Sequence, residues 1–144
     1  MYLTVSLALQ LAKLSGFSPI ITTASPKNTE LLQGLGATHV LDRNLSTDDL
    51  VSTVKKIASG PVPLVVDTVS NETTQATGYE VLAGGGVLSL TLPAQIPQEK
   101  RVADKPIYEV LANIYFPEHQ ALGVGFYSHL TQYLASGDIK VCHT

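Results

Sequence analysis

The segment Pro19-Ile20-Ile21-Thr22-Thr23-Ala24-Ser25-Pro26-Lys27-Asn28 contains the clearest structural signal in this chain. Its apolar and β-branched run up to Ala24 predicts a short buried strand. Ser25 and Pro26 then predict the beginning of a helix, because Ser is a favoured N-cap and Pro suits the first helical position. A buried strand that passes directly into a helix is the first half of a βαβ unit.

The same alternation of strands and helices extends to both sides of this segment. Before it, apolar residues at helical spacing predict a helix from Leu3 to Leu14, which ends at Gly16. Further strands are predicted at Thr38–Asp42, Pro63–Asp67 and Val87–Leu92, and further helices at 26–36, 46–60 and 71–82. A loop is predicted at 93–106, and weaker helical stretches at Ile107–Leu111 and Leu122–Ala135. The sequence therefore predicts an α/β fold, a Rossmann-type parallel sheet with helices on both faces.

Length and composition limit the possible functions. The 144 residues are enough for one domain with a single core. The formal net charge is −3 and no run of Lys or Arg occurs, which argues against a nucleic acid or a membrane surface as a partner. Cys142 is the single cysteine, so an internal disulfide is excluded and a reducing compartment, the cytoplasm, is expected.

Ligands of parallel sheets bind at the carboxyl ends of the strands, so the residues that follow each strand are the candidates for a site. After the first strand stand the hydroxyl of Ser25, the cation of Lys27 and the amide of Asn28, with no acid. An acid here would bind the ribose of NAD and repel the 2′-phosphate of NADP. A helix N-terminus with a lysine is an anion site, so a phosphate is predicted to bind here. The alternative is that Ser25 only caps the helix and Lys27 only contacts solvent.

The other candidate residues have a less specific signal. Asp67 either caps the turn into the next helix or lines a cleft together with Thr68 and Val69. Gly84-Gly85-Gly86 is not a phosphate loop, because it follows a helix and precedes a strand. No metal site and no catalytic residue are predicted, since the isolated histidines and the pair Cys142-His143 do not provide three or four ligands. The histidines are His39, His119, His129 and His143.

Three segments, Leu9–Gly16, Ile21–Asn28 and Leu35–Asp42, resemble the medium-chain dehydrogenase/reductase superfamily. Within it, they are most similar to the zinc-free quinone oxidoreductase branch, which includes fungal enoyl reductases that partner polyketide synthases. The segments Val66–Thr68, Gly84–Leu88 and Leu134–Lys140 fit later parts of the same pattern.

The resemblance implies NADPH as the cofactor. It implies that Ser25 and Lys27 contact the 2′-phosphate and that Asp67–Val69, Thr91 and Leu92 line the cofactor cleft. Arg43 stands where the family usually has Tyr, and an arginine can also bind a phosphate. Residues 114–116 match a segment beside the nicotinamide.

The implied function is the NADP(H)-binding part of an oxidoreductase that reduces an activated C=C bond in a small enoyl-type or quinone-type substrate. A second copy of the chain or a polyketide synthase is the implied partner. The alternative is a non-catalytic, truncated paralogue that serves as a nucleotide-binding or interaction module. A methyltransferase is disfavoured, because that class usually places an acid where Ser25 and Lys27 stand.

The resemblance also implies that residues 1–144 are a partial dinucleotide-binding domain. The family's first strand, its Gly-rich turn and its substrate domain match no part of the sequence. The strands that end at Ala24 and Asp67 would then pair with each other or leave backbone groups unsatisfied, at about 1–3 kcal/mol per buried group. Weak NADPH binding and little turnover by this chain alone are expected.

Overall fold

The computed structural model describes residues 3–111, 113 and 115–141. The helices are Leu3–Leu14 (α1), Thr29–Gly34 (α2), Thr47–Ala58 (α3), Glu72–Val81 (α4) and Pro117–Ser136 (α5). The strands are Ile21–Ala24 (β1), His39–Asp42 (β2), Leu64–Asp67 (β3), Val87–Leu90 (β4) and Ile107–Glu109 (β5). Single 3₁₀ turns lie at Pro26–Asn28 and Gln98–Lys100. The predicted α/β alternation is therefore confirmed from α1 to β4.

The strands form two parallel sheets. In the first, β1 pairs with β2 so that Ala24 is opposite Asp42. In the second, β3 pairs with β4 so that Asp67 is opposite Leu90, and β4 also pairs with β5. Among the described strands, β1 and β3 do not pair with each other. Of the two outcomes expected for the strands that end at Ala24 and Asp67, the structure shows the one with unpaired edges.

Helices cover both faces of the β1–β2 sheet, as predicted. Ala24 and Val40 lie on one face and pack against a core that includes Leu9 of α1 and Leu32 of α2. Ile21 and Leu41 lie on the other face and pack against Val51, Val54 and Val81 of α3 and α4. The alternation follows from the two-residue period of a strand, which directs neighbouring side chains to opposite faces.

The second sheet is covered by α4 on one face. Leu88 is fully buried there, and Val65 packs on the same core. A Cβ added to Gly78 of α4 would lie 3.0 Å from Val65 Cγ1, so the glycine lets the helix approach the sheet closely. On the opposite face, Leu64 is 38% exposed and Val66 is 49% exposed.

One helical layer joins the two sheets. The cluster of Val51, Val54 and Val81 contacts Ile21 of β1 and Val65 of β3, so both strands lie against the same helices. The backbone of Ala24 faces β2, because its carbonyl accepts a hydrogen bond from the Arg43 N–H. In a strand, successive residues direct their backbone N–H and C=O groups to opposite sides. Every second residue of β1 therefore directs these groups away from β2, and every second residue of β3 directs them away from β4. The two sheets thus present unpaired edges, one from β1 and one from β3.

A side-chain clamp joins two parts of the chain that are far apart in sequence. Gln10 of α1 is 4% exposed. Its Oε1 accepts a hydrogen bond from the Lys140 N–H at 2.6 Å, and its Nε2 donates to the Lys140 carbonyl at 3.3 Å. The amide of Gln10 thus pairs with the backbone of Lys140 as a neighbouring strand would.

Three predictions about elements are corrected. The stretch Ile107–Leu111 is not helical, because Ile107–Glu109 pairs with β4 as a sheet-edge strand. The helix predicted at 26–36 is split at Asn28, whose backbone angles (φ −100°, ψ 5°) are not helical. The strand predicted at Val87–Leu92 ends at Leu90, where its pairing with β3 ends.

Candidate functional site

The first group of predicted site residues lies at the carboxyl ends of β1 and β2. The Arg43 N–H donates to the Ala24 carbonyl at 3.0 Å, which brings Arg43 beside the turn that carries Ser25 and Lys27. Ser25 occupies the N-cap position, but its hydroxyl makes no capping hydrogen bond. Lys27 is exposed. The group therefore combines two cationic side chains with a hydroxyl that is not used as a helix cap.

Asn28 belongs to the same group and carries an unsatisfied donor. Its Nδ2 is buried and has no hydrogen-bond partner among the described residues. A buried amide nitrogen without an acceptor is unusual, since most buried polar atoms in native proteins are paired. This atom therefore points to an acceptor that the described residues do not supply.

The second group lies at the carboxyl end of β3. Asp67 is 8% exposed, and its Oδ1 accepts hydrogen bonds from the Val69 N–H at 2.9 Å and the Ser70 N–H at 2.8 Å. The interpretation of Asp67 as a turn-capping residue is therefore confirmed. Its Oδ2 is buried and has no partner among the described residues, so half of the carboxylate remains unused by the turn.

Ser70 and Gln75 complete the second group and were missed from the sequence. The Ser70 Oγ donates to the Asp67 carbonyl at 2.7 Å and accepts from the Thr91 N–H at 3.0 Å. Gln75 is fully buried, and its Nε2 donates to the Pro93 carbonyl at 3.1 Å. The Asp-x-x-Ser spacing from Asp67 to Ser70 is typical of a side-chain-capped turn and is a signal that could have found Ser70. No such signal exists for Gln75 on a largely polar helix.

The structure brings the predicted residues together in two groups and not in one. Ser25, Lys27 and Asn28 adjoin Arg43, while Asp67, Thr68 and Val69 adjoin Thr91 and Leu92. No hydrogen bond between described residues links the first group to the second.

Other parts of the described chain show no comparable combination of groups. A surface depression of about 280 Å³ lies beside Gln10, Lys13 and Asp138, away from the carboxyl ends of the strands. Gly84–Gly86 forms the turn between α4 and β4, as predicted. No helix among the described residues is long and apolar enough to cross a bilayer. Ile114, Cys142 and His143, which were considered from the sequence, lie outside the described residues.

Comparison with known proteins identifies the family of the chain. Residues 6–132 match the model of the zinc-binding dehydrogenase family. The trans-enoyl reductase TwmE of Talaromyces wortmannii is 32% identical over 116 residues, which cover 78% of this chain and 30% of that protein. The trans-enoyl reductase FMN2 of Fusarium mangiferae is 28% identical, with 94% of this chain and 39% of that protein covered. The chain thus spans about a third of the length of these curated relatives.

The family's description names zinc, but the described residues do not fit a zinc site. Within residues 3–111, 113 and 115–141, no three side chains of His, Cys, Asp or Glu come together in a way that could hold a metal ion. A protein zinc site needs three or four such ligands.

Solved structures share this fold. A quinone oxidoreductase of Pseudomonas syringae superposes with a TM-score of 0.75 at 25% identity, covering 96% of this chain and 44% of that one. A mycobacterial protein in complex with NADPH superposes with a TM-score of 0.77 at 21% identity, covering 95% and 43%. The family match, the curated relatives and the shared fold agree with one another. The chain belongs to the zinc-binding dehydrogenase family, in the quinone oxidoreductase and enoyl reductase branch of the medium-chain dehydrogenase/reductase superfamily.

Proposed function

We propose that this chain is the NADP(H)-binding part of an oxidoreductase that reduces an activated C=C bond in an enoyl-type or quinone-type substrate. One observation carries the proposal. At the carboxyl end of β1, where an NAD site has an acid, the chain has Ser25, Lys27 and the adjoining Arg43. The curated relatives are named trans-enoyl reductases, and a structural neighbour is named a quinone oxidoreductase, which supports the reaction class.

In this proposal the first group holds the 2′-phosphate of the cofactor. Lys27 and Arg43 supply positive charge, and Arg43 can bind phosphate oxygens through two parallel hydrogen bonds. Ser25 offers a hydroxyl that its own helix does not use. The unpaired Nδ2 of Asn28 is a donor, and phosphate and ribose oxygens are acceptors, so the group and the cofactor are chemically complementary.

The second group would hold the nicotinamide half of the cofactor. Val69 is 45% exposed and Leu92 is 53% exposed, so the two loops present apolar surface that could exclude water from a bound ring. When bound, NADPH supplies a hydride for reduction of the activated double bond.

The proposal is tested by titrating the chain with NADPH and NADH side by side. We expect Lys27→Ala to weaken NADPH binding by at least about tenfold and to leave NADH binding unchanged, because a charged hydrogen bond to phosphate contributes about 1.5–3 kcal/mol. Lys55→Ala is the matched control, since Lys55 is also an exposed lysine and lies in the last turn of α3. Cofactor fluorescence provides the dissociation constants. Equal affinity of the unmodified chain for the two cofactors, or no binding, would contradict the assignment.

A non-catalytic nucleotide-binding module is the second candidate, and the separation of the two groups favours it. Among the described residues β1 and β3 do not pair, so packing on the cluster of Val51, Val54 and Val81, and not strand pairing, sets the distance between the two groups. Such a module would bind NADPH without oxidising it. Absorbance at the NADPH band, with a simple enone as substrate, distinguishes the two candidates, and sustained oxidation by the purified chain would exclude the second.

We extend the proposal to partners and compartment by family resemblance. A polyketide synthase or a second copy of the chain is the proposed partner, and the cytoplasm is the proposed compartment. Co-purification of the tagged chain from its own cells, followed by light scattering of the pure chain, tests both partners.

A further inference from the structure

Ser70 has a backbone conformation that is unusual for a residue with a side chain. Among the described residues, only Ser59 and Ser70 are non-glycine residues with positive φ, and both have φ of 53°. This left-handed region disfavours a Cβ and is the common place for glycine. Ser59 is exposed at the end of α3, whereas Ser70 is fully buried. A buried serine in a conformation that suits glycine requires a reason that involves its hydroxyl.

The Ser70 hydroxyl connects the ends of two strands. It donates to the Asp67 carbonyl at 2.7 Å, and it accepts from the Thr91 N–H at 3.0 Å. The regular pairing of β3 with β4 ends at Asp67 and Leu90. Thr91 is the first residue after β4, and its N–H bonds the Ser70 hydroxyl where continued pairing would use a backbone carbonyl.

Thr68 and Val69, which lie between Asp67 and Ser70, are outside the pairing of β3 with β4, and Val69 is 45% exposed. The Ser70 hydroxyl thus joins the Asp67–Val69 loop to the Thr91–Leu92 loop at the point where both leave the sheet. These are the two loops that we propose to line the nicotinamide half of the cofactor.

The backbone of Ser70 is fixed as well. Its N–H donates to Asp67 Oδ1 at 2.8 Å, and its carbonyl accepts from Gln75 Nε2 at 2.9 Å. Gln75 also bonds the Pro93 carbonyl and accepts from the Gln95 N–H at 2.7 Å, so it ties the loop after β4 to the same point. The N–H, the carbonyl and the hydroxyl of Ser70 all have hydrogen-bond partners, so both its backbone and its side chain are held in place.

We propose that Ser70 is a positioning residue whose hydroxyl sets the spacing between the Asp67–Val69 and Thr91–Leu92 loops, and through it the affinity for the nicotinamide cofactor. The inference deepens the proposed function and rests on it for the cofactor. The spacing itself does not depend on any cofactor.

Two substitutions separate the hydroxyl from the backbone. Ser70→Gly removes the hydroxyl and relieves the left-handed conformation, while Ser70→Ala removes the hydroxyl and keeps the Cβ. Ser59→Gly is the matched control, because Ser59 has the same φ and no bond to either loop. Val54→Ala, in the buried core of α3, lowers stability without contact with the loops and controls for a general loss of structure.

The spacing is measured with nitroxide labels at Val69→Cys and Leu92→Cys, in the full chain with Cys142→Ser. We expect one narrow distance distribution in this background, with Ser59→Gly and with Val54→Ala. Ser70→Gly and Ser70→Ala are both expected to broaden or shift it. An unchanged distribution in both Ser70 variants would overturn the proposal, whether or not the chain binds NADPH.

The link to the cofactor is measured as NADPH affinity in the unlabelled chain. We expect both Ser70 variants to bind NADPH about tenfold more weakly and Ser59→Gly to bind it normally. Altered spacing with unchanged affinity would overturn the role in binding. Failure of the unmodified chain to bind NADPH would refute the proposed function and this role in binding, and the label distances would still decide whether Ser70 sets the spacing.

Discussion

Two aspartates at equivalent positions show how burial changes the role of a side chain. Asp42 ends β2, and its Oδ1 accepts one hydrogen bond from the Asn44 N–H at 2.9 Å on the exposed surface. Asp67 ends β3, and its Oδ1 accepts from two N–H groups next to the fully buried Ser70. If the side chain is removed, water can replace the exposed hydrogen bond of Asp42, but it cannot replace both of the hydrogen bonds of Asp67.

Asp67→Ala is therefore expected to lower the free energy of unfolding by about 2–3 kcal/mol. The substitution removes the acceptor of two N–H groups, and each buried N–H left without a partner costs about 1–3 kcal/mol. Asp42→Ala is the control, and we expect less than about 1 kcal/mol for it. Urea denaturation followed by circular dichroism measures both. Equal losses in the two variants would contradict the argument from burial.

The sequence predicted where the site residues lie better than it predicted their contacts. Asp67, Thr91 and Lys27 were selected because strand ends can be located from a simple pattern: Asp67 ends β3, Thr91 directly follows β4, and Lys27 lies in the turn after β1. Ser70 was not found, because its importance comes from a hydrogen bond to Thr91, 21 positions away. A left-handed backbone at a serine also leaves no mark in a single sequence.

At the scale of elements, the contact between α4 and its sheet depends on one small residue. A Cβ at Gly78 would lie 3.0 Å from Val65 Cγ1 and 3.4 Å from Leu88 Cδ1, and Leu88 is fully buried. Alanine favours a helix over glycine by about 1 kcal/mol, but overfilling a packed core costs about 1–3 kcal/mol. The two effects oppose each other, and the second is larger where the neighbours cannot move.

Gly78→Ala is expected to destabilise the fold by about 1 kcal/mol, as the net of these two effects. Gly125→Ala in α5 is the control, because a Cβ there meets nothing within 4 Å. It is expected to stabilise the fold by up to about 1 kcal/mol. Thermal unfolding of both variants is the measurement, and a stabilising Gly78→Ala would show that Val65 moves aside.

Elements with a strong local pattern were predicted well, and elements that depend on neighbours were not. The helix α1 is present and ends at Leu14 as predicted, because its apolar spacing and Gly16 are local signals. The strand β5 was predicted as a helix, because Ile107–Glu109 is only three residues long and is held by its pairing with β4. Periodicity cannot be measured over three residues.

At the scale of the molecule, the main feature is the unpaired edges of β1 and β3 beneath one helical layer. The resemblance implied that these two strands would lack a neighbour, and no described strand pairs with β1 other than β2 or with β3 other than β4. An unpaired strand edge leaves every second N–H without a partner and is a template for pairing with another strand.

Hydrogen exchange measured by NMR on the isolated chain tests this feature. We expect the amides of Thr23 and Val66, on the unpaired edges, to exchange at least roughly tenfold faster than those of Thr22 and Val65, which face their partner strands. Equal protection at all four positions would mean that some partner, such as a second copy, pairs with these edges. Repeating the measurement at lower protein concentration would then identify a second copy as the partner, because dilution separates the copies and the amides on the edges would exchange faster.

The clamp between Gln10 and Lys140 has a consequence for the order in which the chain folds. It joins residues that are 130 positions apart, whereas each βα unit is built from neighbours in the sequence. Contacts of such large separation form late, because closing the loop between them loses entropy that only a nearly finished structure offsets. The contact between Gln10 and Lys140 is therefore expected to form after the βα units have assembled, and it does not belong to the folding nucleus.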